Sequence, residues 1–347
     1  MKKIISALTA IAAFTGLLVF GSGHSVAAAN NSNQNDYEVQ PILPDSQVDM
    51  SKNYWDLQAK KDSTQVIQLR IQNFTKKHIK VSTSLRNAYT QVGGGIDFQH
   101  SQQGLDRSLK IPFTKLAKLN FKARTIALGP NQTKILSATI TYPKKMFRGL
   151  IYGDWHFIEH VKRNANDRTA IKANYAYSIG VMLRGNHWDK TGPNMKYDQT
   201  TPFLYNKHPA LGIDIRNTQP MALTKMAVLA QVMRKGDNNS LKEYSGSNLT
   251  VAPNSMMRLP ITWNYDTMKP GLYLIKVTIR GNNVTNNFPI QWKFRREFRV
   301  AKHTADKINS KAAKQPANKW LYAAVGTGLV WIISAAGLAW LFIVRPK

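Results

Sequence analysis

The sequence predicts an all-β protein with two immunoglobulin-like β-sandwich domains and a C-terminal transmembrane helix. Three observations predict this class. Apolar and polar residues alternate repeatedly along the middle of the chain, turn residues separate these runs, and 25 uncharged residues, 320–344, lie near the C-terminus. Alternation gives each strand one buried and one solvated face, as in an antiparallel sheet over a core.

The first 29 residues resemble an export signal. Two lysines precede the apolar stretch 4–20, and three alanines at 27–29 supply the small residues that a signal peptidase accepts. We therefore expect residues 1–29 to be a signal peptide, with an uncleaved anchor of the same topology as the alternative.

The exported region is predicted to contain two sandwiches. Alternation is clear at 66–72, 77–85, 136–142, 175–183, 273–279 and 290–300. Met221–Arg234 fits a helix or a strand, and Ile111–Leu119 allows one or two helical turns. A polar stretch within 159–174 interrupts the strands. Because a sandwich needs roughly 100–150 residues, we place the domains at 30–160 and 168–300.

The C-terminal region changes composition twice. Residues 301–319 contain five Lys and one Asp, which predicts a basic stalk. The uncharged residues 320–344 would extend roughly 37 Å as a helix, at about 1.5 Å per residue, which is long enough to span a bilayer. A buried core helix is the alternative. The basic residues of 345–347 are expected to remain as a cytoplasmic tail.

The chain is strongly basic, with 48 Lys and Arg against 19 Asp and Glu, a net charge of +29. Residues 30–319 carry +25 of it. On an exported protein this charge favours wall phosphate polymers or acidic glycans over nucleic acid, or it serves solubility alone. The absence of cysteine excludes disulfides, thiol nucleophiles and Cys-ligated metal centres. No cofactor is expected.

One enzymatic motif is present, because His156, Glu159 and His160 match the inverted zinc-protease pattern H-x-x-E-H. That chemistry requires a helix, where residues four apart meet at one metal. The aromatic and β-branched surroundings predict a strand instead, which would separate the two histidines by roughly 13 Å. Solvated histidines at the end of a strand are therefore the preferred interpretation.

Two groups of residues are candidates for ligand binding. Exposed aromatic side chains in the polar segment 185–208 could stack on a sugar or fill a partner's pocket, and these are Trp188, Tyr197 and Tyr205. A basic patch near the domain joint could contact phosphate or carboxylate groups, and it consists of Lys162, Arg163, Arg168 and Lys172. A satellite cluster of packed aromatics and a solvated linker are the respective alternatives.

Several local motifs, in order, resemble the WxL-interacting protein family of Gram-positive surface proteins. They are Tyr54-Trp55-Asp56-Leu57, Asn87-Ala88-Tyr89-Thr90, Gly129-Pro130-Asn131, Phe147-Arg148-Gly149, Tyr175–Leu183, Ile213–Asn217, Gly271-Leu272-Tyr273 and Trp292-Lys293-Phe294. Together they extend over nearly all of the exported region. The chain departs from the family pattern at Gly153-Asp154-Trp155, where a Gly-Gly pair is expected.

The resemblance implies a peptidoglycan-binding N-terminal domain and a C-terminal domain that binds host extracellular components. It also implies partner proteins that carry the WxL wall-binding module. We therefore expect a non-catalytic binding protein, anchored in the cell membrane with its domains facing the wall and exterior. A surface-assembly chaperone that pairs strand edges is one alternative, and a zinc hydrolase at His156, Glu159 and His160 is the other.

Overall fold

A computed structural model describes residues 36–98, 105–160, 175–237, 239–315 and 319–343. The predicted signal peptide 1–29, the basic residues Lys162, Arg163, Arg168 and Lys172, and the tail 345–347 lie outside the described residues.

The described residues form eighteen strands and three α-helices, and the all-β class is confirmed. In chain order the elements are β1 (Tyr37–Ile42), β2 (Trp55–Gln58), β3 (Thr64–Asn73), β4 (Ile79–Asn87), β5 (Tyr89–Thr90), β6 (Ile96–Asp97), α1 (Phe113–Leu116), β7 (Ala117–Leu119), β8 (Thr125–Leu128), β9 (Thr133–Thr141), β10 (Leu150–Glu159), β11 (Ala176–Arg184), β12 (Met195–Tyr205), β13 (His208–Asn217), β14 (Leu223–Arg234), β15 (Lys242–Val251), β16 (Met256–Thr262), β17 (Gly271–Asn283), β18 (Pro289–Val300), α2 (Lys302–Ser310) and α3 (Lys319–Ile343).

The first domain encloses one core between two sheets. Their strand orders are β1-β3-β9-β7 and β2-β11-β10-β4-β8. The core contains Trp55, Trp155 and Phe157, and the two indole rings stack with centroids 6.0 Å apart. Gly153 is required at its position, because a Cβ atom there would lie 2.1 Å from the Phe113 ring. The predicted alternation therefore does define the buried face of these strands.

The second domain has the same layered arrangement, with sheets β12-β13-β16 and β15-β14-β17-β18. Its core is separate and is built from the alternate residues of β13, β14 and β17, together with Trp263. The ambiguous segment Met221–Arg234 is largely strand β14. The immunoglobulin-like character of both domains stays a prediction.

Strand β11 pairs with strands of the first domain. Residues 175–183 lie in the segment that the sequence assigns to the second domain, and β11 pairs antiparallel with β10 and parallel with β2. Val181 and Leu183 lie in the first core. Strand pairing, which alternation alone does not reveal, therefore places β11 in a sheet of the first domain, and the domain bounds 30–160 and 168–300 stay a prediction.

Helix α2 corrects the predicted stalk. Ala305 and Ile308 are buried, and Ala305 belongs to the second core. The amide side chain of Asn309 donates to Met268 O at 2.9 Å and accepts from Met268 N at 2.9 Å. Residues 302–310 are therefore part of the second domain, because spaced apolar residues on one helix face are enough to attach a polar helix.

The predicted transmembrane segment coincides with helix α3. Within the ranges that the structure describes, no helix is both long enough and apolar enough to cross a membrane.

The segment between β4 and α1 joins the two domains. Gly93 and Gly95 donate backbone hydrogen bonds to Arg258 O and Thr250 O, both at 2.8 Å. Gly93, Gly94 and Gly95 have φ values of 85°, 103° and 104°, a left-handed conformation that favours glycine. The glycine run is therefore a structural connection to the second domain.

Candidate functional site

A cleft of about 660 Å³ lies between the two domains. Its floor is the outer face of strands β2, β11 and β10, and its far wall comes from the second domain. It is lined by Tyr54, Asp56, Tyr152, Gly180, Met182 and Arg184 on the floor, by Ile96 and Phe98 at one side, and by Ala222, Thr224, Thr250 and Val284 opposite. This volume is typical of a small-ligand or oligomer subsite.

A buried ion pair fixes one end of the floor. Arg184 donates from Nε to Asp56 Oδ1 at 2.6 Å and from Nη2 to Asp56 Oδ2 at 2.5 Å. The Asp56 side chain is 1 % exposed and that of Arg184 is 15 % exposed. The guanidinium also lies 4.2 Å from the centroid of the Trp188 ring. The ion pair and the Trp188 ring therefore hold the Arg184 guanidinium in place at this end of the cleft.

Two tyrosines give the floor hydrogen-bonding groups. Burial raises the pKa of Tyr54 and, more strongly, that of Tyr152, and the neighbouring Asp56 carboxylate adds to both. Among the described residues, neither phenolic oxygen has a hydrogen-bond partner. Both hydroxyls therefore stay protonated at physiological pH and are available to a ligand in the cleft.

A carboxyl group is buried within the same sheet. Asp154 lies opposite Gly180 of β11, it is 0 % exposed, and neither of its side-chain oxygens has a hydrogen-bond partner in the described part of the chain. Burial raises the pKa of Asp154 to about 7, and this outweighs the lowering effects of the nearby Ser178 hydroxyl and of the Arg86 charge. His156 Nδ1 lies 3.9 Å away, and burial lowers the pKa of His156 to about 4. At neutral pH His156 is therefore uncharged, whereas Asp154 is near the midpoint of its titration.

His156 and Glu159 of the zinc motif lie on strand β10, as the sequence predicts, and His160 directly follows the strand. His156 is within hydrogen-bonding distance of Ser178, with Nδ1 2.9 Å from Oγ, while His160 contacts the Ser82 hydroxyl. The described residues contain no group of three or more His, Asp or Glu side chains that could hold a metal ion. The expected solvation of His156 is wrong, because the flanking strands β4 and β11 leave it only 4 % exposed.

The structure separates the aromatic residues that the sequence singled out. Trp188 is in a single 3-10 turn next to the cleft and contacts Arg184. Tyr197 and Tyr205 lie on strand β12 rather than in a loop, eight residues apart. Tyr197 packs against the second core and hydrogen bonds with Thr200, and Tyr205 lies 6.1 Å from the Phe203 ring. Only Trp188 is associated with the cleft.

The principal cleft residues were not predicted, although one signal existed. Tyr152 occupies the outward position of a strand whose inward positions are Trp155 and Phe157. A large aromatic residue on the outward face of a central strand indicates contact with a ligand or another domain. The arrangement as a whole can accommodate a sugar, since ring faces stack on sugar C–H groups while hydroxyls and charged groups bind the periphery.

Comparisons with solved structures find only distant similarity. The class 5 fimbriae chaperone CfaA is 11% identical, with a TM-score of 0.33, and the match covers 74% of this chain and 98% of the chaperone. The CsuC–CsuE chaperone–tip adhesion subunit complex of Acinetobacter baumannii is 11% identical, with a TM-score of 0.32 and coverage of 75% and 98%. Likeness at these scores carries no argument about this chain. No curated protein matches the sequence.

Two family models match the chain in succession. Residues 37–159 match the WxL Interacting Protein peptidoglycan binding domain, and residues 166–310 match the host binding domain of the same family. The second match includes helix α2 and ends at Ser310, where that helix ends. Because the two matches extend over most of the sequence in the expected order, the chain belongs to the WxL Interacting Protein family.

Proposed function

We propose that this protein is a non-catalytic binding protein of the Gram-positive cell surface that holds a peptidoglycan segment in the cleft between its domains. The observation that carries the proposal is the pair of tyrosines, Tyr54 and Tyr152, on the cleft floor. Both belong to the stretch that matches the peptidoglycan binding domain.

The chemistry of the cleft suits peptidoglycan. The polymer combines sugar rings, which stack on aromatic side chains, with amide and hydroxyl groups that accept and donate hydrogen bonds. The phenol groups of Tyr54 and Tyr152 supply such donors at the floor. At the mouth, the Lys52 ammonium lies 3.4 Å from Asp49 and is 43 % exposed, so it can turn toward a peptide carboxylate.

The second domain takes the host-facing role in this proposal, and it can also dock WxL-bearing surface proteins. In this proposal the uncharged segment 320–344 anchors the two domains at the membrane. As a helix this segment would be roughly 37 Å long, which matches the thickness of a bilayer if the helix is tilted. The protein would then stand between the membrane and the outer wall, with no catalytic step.

Peptidoglycan binding is tested by sedimenting the full chain, in detergent, with purified sacculi that are free of protein and anionic polymers. A Tyr54→Phe, Tyr152→Phe double variant keeps both rings but removes both hydroxyls, and we expect its affinity to fall roughly tenfold, since two hydrogen bonds are lost. Tyr265→Phe is the matched control, because Tyr265 is an exposed tyrosine of the second domain. Equal sedimentation of the two variants would contradict the cleft as the site.

Membrane anchoring is tested separately by fractionating cells that express the chain with or without residues 320–347. We expect the full chain in the membrane fraction and the shortened chain in the medium or the wall fraction. Membrane retention of the shortened chain would contradict anchoring by this segment.

A further inference from the structure

The outer surface of the β17–β18 hairpin is strongly basic. Residues 271–300 contain six Lys and Arg against one Glu, a net charge of +5. Five of these cations are exposed and share the side of the sheet that faces away from the core, and we call this set the basic face. It consists of Lys276, Arg280, Lys293, Arg295 and Arg299.

The strand register brings these cations together. On β17 alternate residues point into the second core, namely Tyr273, Ile275, Val277 and Ile279. Lys276 is directly opposite Arg295, and the next position along has Lys293 opposite Thr278. Cross-strand neighbours are about 5 Å apart, and alternate residues along one strand are about 7 Å apart. The basic face is therefore a closely spaced array of positive charge along a flat surface.

No ion pair in the part of the chain that the structure describes explains the clustering of these five cations. Within the described ranges, none of the five cations lies within 4.0 Å of a carboxylate, and the hairpin's own Glu297 pairs with Lys235 at 3.0 Å. Like charges directly opposite each other on a sheet destabilise it. The arrangement therefore carries an energetic penalty that an anionic partner would remove.

We propose that the basic face binds a linear acidic glycan of the host surface, through the sulfate or carboxylate groups of successive sugars. This inference rests on the proposed host-facing role of the second domain, because the face lies within the residues that match the host binding domain. Arg and Lys side chains bind such anions by charge-assisted hydrogen bonds. A flat array about 20 Å long contacts several anions of one polymer at once, so weak individual contacts add up.

The proposal is tested with the full chain, in detergent, on immobilised heparin. We expect a Lys293→Glu, Arg295→Glu variant to bind at least roughly tenfold more weakly than the parent protein. The matched control is Lys60→Glu, Lys61→Glu, which changes net charge equally at two exposed residues of the first domain. Equal loss of binding by the two variants would overturn the proposal, since net charge alone would then explain retention.

Additional binding experiments identify the class of ligand and test the host-facing role of the second domain. Desulfated heparin, vesicles with anionic lipids and walls that retain their phosphate polymers are compared under the same conditions, and tighter binding of lipid or phosphate polymer through Lys293 and Arg295 would overturn the assignment.

Host cells from which sulfated glycans have been removed should no longer bind the protein. If stripped cells still bind it fully, host binding stands but this inference fails. If heparin binds through the basic face while untreated cells do not bind, the inferred surface chemistry stands and the host-facing role fails.

Discussion

The interdomain cleft and the basic face use charge in opposite ways. In the cleft, the Asp56–Arg184 pair is buried and bidentate, and its guanidinium stacks on Trp188. On the basic face, Lys276 and Arg295 face each other as like charges in solvent. Breaking the first arrangement would leave a buried charge unpaired, whereas the second places repelling charges on a surface that an anion can bind. Charge at a site is therefore informative only together with its pairing.

The largest effect is expected from breaking the cleft pair. Arg184→Ala removes the partner of a fully buried carboxylate, and leaving such a charge uncompensated costs about 3 kcal/mol of unfolding free energy. Denaturant unfolding of the purified chain measures this. Arg107→Ala is the control, since Arg107 is 79 % exposed and lies 4.0 Å from Asp198, and it should change stability by less than about 0.5 kcal/mol. Equal small losses would mean that the cleft charges are not structurally different from surface charges.

Within the residues that the structure describes, Asp154 is a buried carboxyl of the cleft sheet without a basic partner at ion-pair distance other than His156. We expect Asp154→Asn to be more stable than the parent protein, by an amount that increases with pH. A pKa raised from 3.8 to about 7 means that the folded state binds a proton that the unfolded state has lost, so stability falls as pH rises between these values. The full change is about 4 kcal/mol, but the amide of Asp154→Asn remains buried without a partner, which leaves a net gain of about 1–2 kcal/mol at pH 8.

That gain should disappear near pH 4, where the parent carboxyl is protonated in the folded state and roughly half protonated in the unfolded state. His156, whose lowered pKa acts in the opposite direction between about 4 and 6.5, is present in both proteins and cancels, as do the facing charges of Arg86 and Asp97. Melting curves of both proteins from pH 4 to pH 8 provide the measurement. A pH-independent difference would show that Asp154 is ionised when folded or is more hydrated than its burial indicates.

The sequence was sufficient to predict the strands but not their partners. Alternation identifies a buried face because it depends on residues two apart, and β3, β9 and β17 follow it. Alternation does not show that strand β11 pairs with β10 and β2, because such pairing depends on residues distant in the sequence. In helix α2, Ala305 and Ile308 are two apolar residues among polar ones, too few to predict packing without the surface they contact.

The candidate site was less predictable for the same reason. Tyr54 and Tyr152 are distant in the sequence and line one cleft only because β11 lies between β2 and β10 and pairs with both. Asp154 occupies an outward position, which alternation predicts to be solvated, yet it is completely buried. Such a site is defined by long-range pairing, whereas the basic face could be found from sequence once β17 and β18 were known to pair.

Ligand binding at the basic face should depend on salt more strongly than ligand binding in the cleft. Raising ionic strength from about 0.1 M to about 1 M shortens the Debye length from about 10 Å to about 3 Å, so exposed charges lose most of their attraction. We expect heparin binding to weaken roughly tenfold or more, whereas sedimentation with stripped sacculi should change less than about threefold because it depends on stacking and hydrogen bonds. Parallel binding isotherms test this, and equal salt sensitivity would remove the distinction between cleft and face.

The smallest effect distinguishes a surface kept for binding from one kept for stability. Lys276→Glu converts the like-charge pair with Arg295 into an ion pair, so we expect a gain of about 0.5 kcal/mol in unfolding free energy together with weaker heparin binding. Denaturant midpoints at unchanged slope measure the gain, and Lys60→Glu, in a turn of the first domain, is the control for net charge. If Lys276 serves anion binding, removing its repulsion with Arg295 should make the free protein more stable. A loss of stability in Lys276→Glu but not in the control would instead indicate that Lys276 stabilises the fold.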